Sequence, residues 1–340
     1  EPTALDRHRR SLRRFDDEKR LRAFVALFKK GEQEETNLLT KLSETAQETK
    51  QVIETDYFHA TIPGNVQRNL LIRTYVEKPP ILWVVAGQSN AVEFACPPYE
   101  SAAYCGQMWD WKTGVNAIKP LKDPTNGWYQ SYGSAWPSFA RHFFEITGRK
   151  VVLLNVARGG AAVTSPYSNT WYGEDDVNKL RVNAKTQYTA LTTALGTIDT
   201  DYVLGGMLWI QGESECRPIG DGRMQVAEYK AGTLDVFRFF RTFTKSDLPI
   251  FISQIGYDST IRTNSELYSG YQKVHAAQIE LAKDNENVYM AFEGAKYFLD
   301  AGEMTDGIHY SQKGYNVVGK AFARCAANTL EFLRSKNKWH

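Results

Sequence analysis

From Ile81 onward the chain alternates between short, uninterrupted apolar runs and longer segments in which apolar residues return every three or four positions. The runs at 81–86, 151–156, 202–210, 249–254 and 288–292 have strand length and lack the in-out alternation of a sheet with one wet face. They predict parallel strands covered on both sides. Helices are expected over 134–147, 176–195, 225–244, 265–283 and 311–334. Five strands alternating with five helices describe one three-layer α/β/α domain, with a five-stranded parallel sheet, over 81–340. Ligands of such open sheets sit beyond the carboxyl ends of the strands, so chemistry is to be sought in the residues that follow each apolar run.

Residues 5–56 follow a different pattern, with almost no Gly or Pro. Leu21, Phe24, Val25 and Phe28 make one helical stripe, and Leu38, Leu39, Leu42, Ala46 and Ile53 a second. An N-terminal α-helical segment is therefore expected over 1–56, with a connector over 57–80 that ends in Lys78-Pro79-Pro80. Early arginines and later glutamates are segregated along it, which reads as a solvated face or as pairing between the helices rather than a polyanion site. The apolar stripes need cover, and association between chains into a homo-oligomer is the expected form of it.

Composition narrows the classes. With 42% hydrophobic residues, 24% charged residues and a formal net charge of +2, the chain reads as globular, with no excess that calls for nucleic acid or an anionic membrane. No apolar run approaches the ~20 residues of a membrane span, and EPTALDRHRR lacks the apolar centre of a signal peptide, so an export signal was either removed or never present. Cys96, Cys105, Cys216 and Cys325 fit no CxxC pattern. A bridge between Cys96 and Cys105, across a loop of Pro and Tyr, stays open beside the alternative of free thiols. No HExxH or Cys-His cluster occurs, and neither a metal nor a cofactor is expected.

Four strand ends carry suggestive residues. The first run leads into Gly87-Gln88-Ser89-Asn90-Ala91, where Ser89 is a candidate nucleophile on a tight strand-to-helix turn and equally a helix cap. The second leads into Asn155-Val156-Ala157-Arg158-Gly159-Gly160, whose paired glycines suit backbone N–H groups turned toward a ligand or a plain tight turn. Arg158 takes no role there. After the third comes Gln211-Gly212-Glu213-Ser214-Glu215, with a side-chain donor in Gln211 and two acids that also suit the start of a helix. Before the last helix, Asp306-Gly307-Ile308-His309 places an acid where it can hold one imidazole nitrogen and leave the other free as a base. His8, His142 and His275 fall in expected helices, His59 in the connector and His340 at the terminus, which leaves His309 as the candidate base.

The ordered set GQSN, Gly-Gly, WIQGESE and DGIH resembles the blocks of the SGNH/GDSL hydrolase superfamily, and more closely its sialate O-acetylesterase and acetylxylan esterase branch, carbohydrate esterase family 6. The resemblance covers roughly 81–333. It implies a flavodoxin-like SGNH-hydrolase domain and a catalytic set of Ser89 as nucleophile with Asp306 and His309. It also implies an oxyanion hole from the N–H groups of Ser89 and Gly160, with Gln211 as third donor where the superfamily carries Asn in GxND.

The implied activity is a serine esterase that removes O-acetyl groups from a polysaccharide or sialic acid through an acyl-enzyme. The loops between the blocks concentrate Tyr99, Tyr104, Trp109, Trp111, Trp128, Tyr129, Tyr132, Trp136, Tyr167, Trp171 and Tyr172, which favours a saccharide over a long acyl chain. Gln88, Trp128, Trp171 and Glu213 are candidate substrate contacts. The alternatives are a lipase or thioesterase on the same fold and an inactive carbohydrate-binding tail protein. The expected location is extracellular or on a virion, as in a phage tail that deacetylates a surface polysaccharide.

Overall fold

The computed structural model describes residues 78–95, 100–111, 114–125, 132–165, 167, 169–198 and 200–336. The helical segment expected over 1–56, with its expected oligomer contacts, lies outside the described residues.

The strands are β1 (Ile81–Gly87), β2 (Gly106–Asp110), β3 (Ala117–Pro120), β4 (Val151–Asn155), β5 (Val203–Ile210), β6 (Ile250–Ser253) and β7 (Val288–Phe292). The helices are α1 (Ser89–Val92), α2 (Trp136–Thr147), α3 (Lys179–Thr197), α4 (Glu213–Gly220), α5 (Val226–Thr244), α6 (Ser265–Asp284), α7 (Phe298–Ala301) and α8 (Gln312–Ser335). All five expected strands and all five expected helices form, with ends shifted by at most three residues. The sheet, however, has seven strands in the order β3-β2-β4-β1-β5-β6-β7, not five. The two extra strands extend one edge: β2 pairs parallel with β4, and β3 antiparallel with β2. Neither is a continuous apolar run, since β2 carries Gln107 and Asp110 and β3 closes the edge with Lys119 and Pro120. Those residues blunt an edge strand and hide it from an apolar-run reading.

The five parallel strands β4-β1-β5-β6-β7 form the doubly wound order in which the chain starts at the centre and then builds outward on both sides. β1 and β4 are buried at every position. Trp83, on one face of β1, meets Phe139 and Phe143 of α2 and Phe251 edge-on. On the opposite face Trp209 packs against Trp171 and against Phe237 of α5. Replacing a fully buried Trp such as Trp83 by Ala would cost about 3–5 kcal/mol. The carboxyl ends of β1, β4 and β5, where the strand order reverses, thus rest on a rigid floor.

Candidate active site

β1 ends in Gly87 at φ +131, where a Cβ would lie 2.0 Å from the Ile210 carbonyl oxygen, so only Gly allows β1 and β5 to approach this closely. Gln88 N–H donates to the same oxygen at 2.9 Å, and Ser89 opens the single-turn α1. Three indoles then hold the surrounding carbonyls: Trp171 Nε1 donates to Gly87 O (3.2 Å), Trp136 Nε1 to Ala91 O (2.9 Å) and Trp111 Nε1 to Asn155 O (3.1 Å). Asn155 Nδ2 reaches Ala91 O and Val92 O, both at 3.3 Å, and satisfies the end of α1.

These bonds correct the expectation that Trp171 contacts substrate. It is fully buried, as is Trp136, and Trp109 and Trp111 are nearly so. An indole offers a large apolar body and one donor, which suits anchoring buried backbone as well as it suits facing a sugar. Tyr104, Tyr132 and Tyr172 are the exposed members of the aromatic set among the described residues. Trp128, with Tyr99 and Tyr129, lies outside them.

Asp306 and His309, the candidate acid and base, share one turn. Asp306 Oδ1 accepts from the N–H groups of Ile308 and His309, each at 2.8 Å, and Oδ2 lies 2.8 Å from His309 Nδ1. Burial alone would raise the Asp306 carboxyl, but the hydrogen bonds from the His309 ring and from the two N–H groups outweigh it and hold the carboxyl below its ordinary range. Thr305 N–H closes the turn on His309 O at 2.8 Å, and the buried Tyr310 anchors it through a bond from Gly256 N–H to its hydroxyl, also 2.8 Å.

Two residues of the segment that begins with Ser89 contact this turn. Asn90 Nδ2 donates to Ile308 O at 3.2 Å and to Glu213 Oε1 at 2.7 Å, while Tyr315 OH donates to Asn90 Oδ1 at 2.9 Å. Phe94 stacks on the His309 ring with centroids 4.0 Å apart and planes within 9°. Sequence reasoning assigned neither residue a role. Asn90 stood inside the quoted GQSN block, whereas nothing in the sequence pattern marked Phe94. No hydrogen bond joins Ser89 Oγ to His309 among the described residues.

The oxyanion candidates divide. Gly160, at φ +66, is exposed, and neither its N–H nor that of Ser89 has a partner among the described residues. Gln211 does not fit the donor role. It is 0% exposed, and its Nε2 is occupied by Glu215 Oε2 at 2.7 Å and Ala161 O at 3.4 Å. Glu215 also accepts from Val163 N–H at 2.7 Å, so Gln211 and Glu215 join the β4 and β5 loops beneath the site.

Two other expected substrate contacts are likewise internal. Gln88 Oε1 accepts from Gly212 N–H (3.3 Å) and Ser214 N–H (3.2 Å) at the start of α4, and Glu213 is buried on Asn90. Burial pushes both Glu213 and Glu215 up to about 7. Cys105, Cys216 and Cys325 are free thiols, and Cys96 lies outside the described residues. Among the described residues no group of three His, Cys, Asp or Glu is placed to hold a metal ion, and no helix is long and apolar enough to cross a membrane.

A family model described as carbohydrate esterase, sialic acid-specific acetylesterase, matches residues 80–328. Among solved structures, a protein from Arabidopsis thaliana is similar at 16% identity and a TM-score of 0.54, over 74% of this chain and 98% of that one. The structure of NanS is similar at 16% identity and a TM-score of 0.51, over 76% of this chain and 99% of that one. At such identity the two likenesses concern the fold. No protein of curated function matches the chain in sequence.

Proposed function

As a member of the sialic acid-specific acetylesterase family of carbohydrate esterases, and so a carboxylic ester hydrolase of the carbohydrate O-acetylesterase class, this chain is one in which we propose that Ser89, His309 and Asp306 carry the chemistry. The observation that carries the reading is the Asp306–His309 pair, 2.8 Å apart and tied to the Ser89 helix through Asn90.

In this reading Ser89 Oγ attacks the acetyl carbonyl while His309 Nε2 takes its proton. Asp306 keeps Nδ1 protonated and turned away, so that the other nitrogen is the base. The oxygen that gains charge in the tetrahedral intermediate accepts from the Ser89 and Gly160 N–H groups. His309 then returns the proton to the departing sugar oxygen, leaving acetyl-Ser89. Water, deprotonated by the same imidazole, releases acetate and restores the serine. An O-acetylated saccharide is the proposed substrate, with exposed Tyr132 at the edge of the site as a surface for a sugar ring.

The test is hydrolysis of aryl acetate and acetylated saccharides by wild type, Ser89→Ala and His309→Ala, alongside a series of aryl esters of growing acyl length. Each substitution should lower kcat by several powers of ten, and rate should fall beyond short acyl groups. Activity of Ser89→Ala within tenfold of wild type overturns the serine mechanism. A preference for long acyl chains moves the substrate to the lipase or thioesterase class.

A further inference from the structure

We propose that Phe94 is a positioning residue for the esterase base: it fixes the plane of the His309 imidazole and presents its π face to the ring when the ring carries charge. The proposal rests on the Ser89–His309 reading.

The observation is the stack itself. The two ring planes differ by 9° at a centroid distance of 4.0 Å, and Phe94 is backed on its other side by Tyr132, at 5.4 Å and 23°. Phe94 is therefore the middle member of a three-ring set, stacked with both the imidazole and Tyr132, the latter 39% exposed. Phe94 follows α1 by two residues, so the segment that begins with Ser89 supplies two contacts to the turn that bears the base. Asn90 takes the Ile308 carbonyl and Phe94 takes the ring.

The division of labour is physical. The Asp306 contact fixes where Nδ1 lies, but one hydrogen bond leaves the ring free to swing about it. A parallel aromatic face at van der Waals distance removes that swing and keeps Nε2 on one line toward the serine. Misplacement of a reacting group by about 1 Å can cost 10²-fold in rate. The same face acts on charge. His309 becomes an imidazolium as Ser89 attacks, and the negative face of an aromatic ring attracts a cation seated over it. A neutral aliphatic side chain of similar size would fill the space without either effect. The titratable groups around this ring are Asp306 in its own turn, Glu213 of α4 behind Asn90, the Tyr132 phenol at the end of the pile and the Tyr315 phenol of α8 on Asn90. None of them is altered by substituting Phe94.

The experiment uses the full chain as wild type, Phe94→Leu, Phe94→Ala and Phe94→Trp, with aryl acetate as substrate and thermal melting as a check on folding. Phe94→Leu, close in volume, should keep KM within about threefold and lose kcat by roughly tenfold or more, and Phe94→Trp should recover most of it. Phe94→Leu with wild-type kcat overturns the proposal. So does a loss that appears only in KM or only in melting temperature. Ser89→Ala, run beside them, separates the two levels: if it stays active, the serine reading falls and the Phe94 role with it. If it is inactive while Phe94→Leu is normal, the Phe94 role alone falls.

Discussion

The side-chain amide of Asn90 donates to the backbone carbonyl of Ile308 at 3.2 Å, joining the residue after Ser89 to the residue before His309 across 218 positions of chain. Its remaining bonds, to Glu213 Oε1 and from Tyr315 OH, place this amide where α1, α4, α8 and the Asp306–His309 turn meet. Asn90→Ala removes the Asn90 partner of a buried carboxyl and of a buried hydroxyl, a loss of about 1–3 kcal/mol for each group. Denaturant unfolding should show the lower stability. The turnover number should fall while KM changes little, because the base is displaced and the open face of the crevice is not. Normal kcat in a variant of lowered stability would show that Asn90 holds the fold without placing the base.

Gln211 offers a sharper discrimination. An oxyanion donor, once removed, costs about 10²–10³ in kcat with little change in stability. The Gln211 amide instead spends its hydrogens on Glu215 and Ala161, beneath the crevice floor. Gln211→Ala should therefore lose roughly 1–3 kcal/mol in unfolding measurements and less than about tenfold in kcat. A hundredfold loss of kcat at unchanged stability would return Gln211 to the oxyanion hole.

Glu213 and Glu215 predict how stability varies with pH. Burial raises each carboxyl from an ordinary value near 4.5 to about 7, so between those pH values the folded chain holds protons that the unfolded chain has released. The stabilisation from these two groups is complete below about 4.5 and is lost as pH climbs through about 7. Melting temperature should decline from pH 5 to pH 8, and Glu213→Gln, which is neutral throughout and keeps an acceptor for Asn90, should decline less. Equal slopes for variant and wild type would mean that Glu213 is ionised throughout that range.

Gly160 has open space where a Cβ would stand but a backbone at φ +66, so its substitution tests conformation without a steric clash. Gly160→Asn, whose side chain tolerates the left-handed region, should keep most activity. Gly160→Val should lose about 1–2 kcal/mol or swing the N–H out of line and lower kcat. Kinetics and melting on the pair distinguish a conformational requirement from a requirement for space alone, in which Asn and Val would fare alike.

The parallel strands and their helices were legible because burial on both faces demands unbroken apolar runs, and covering helices demand a 3.6-residue repeat. Both are local properties of the chain. The edge pair β2 and β3 was not legible, since a short strand at a rim answers to its neighbour's hydrogen bonds more than to its own apolarity. The Asp306–His309 contact could be read from a spacing of three because a single turn forms it. The tertiary structure alone decided which side chains face the crevice and which lie beneath it. Gln88, Gln211 and Glu213 each sit beside a strand end, as a catalytic group should. In each, a polar atom is taken up inside the fold, Gln88 Oε1 by the Gly212 and Ser214 N–H groups, Gln211 Nε2 by Glu215 and Ala161, and Glu213 Oε1 by Asn90, because a buried donor or acceptor is costly to leave unpaired. The same requirement turned Trp171 inward onto the Gly87 carbonyl and brought Asn90 to Ile308. No spacing encodes these contacts, since each forms only when the sheet sets distant strand ends side by side.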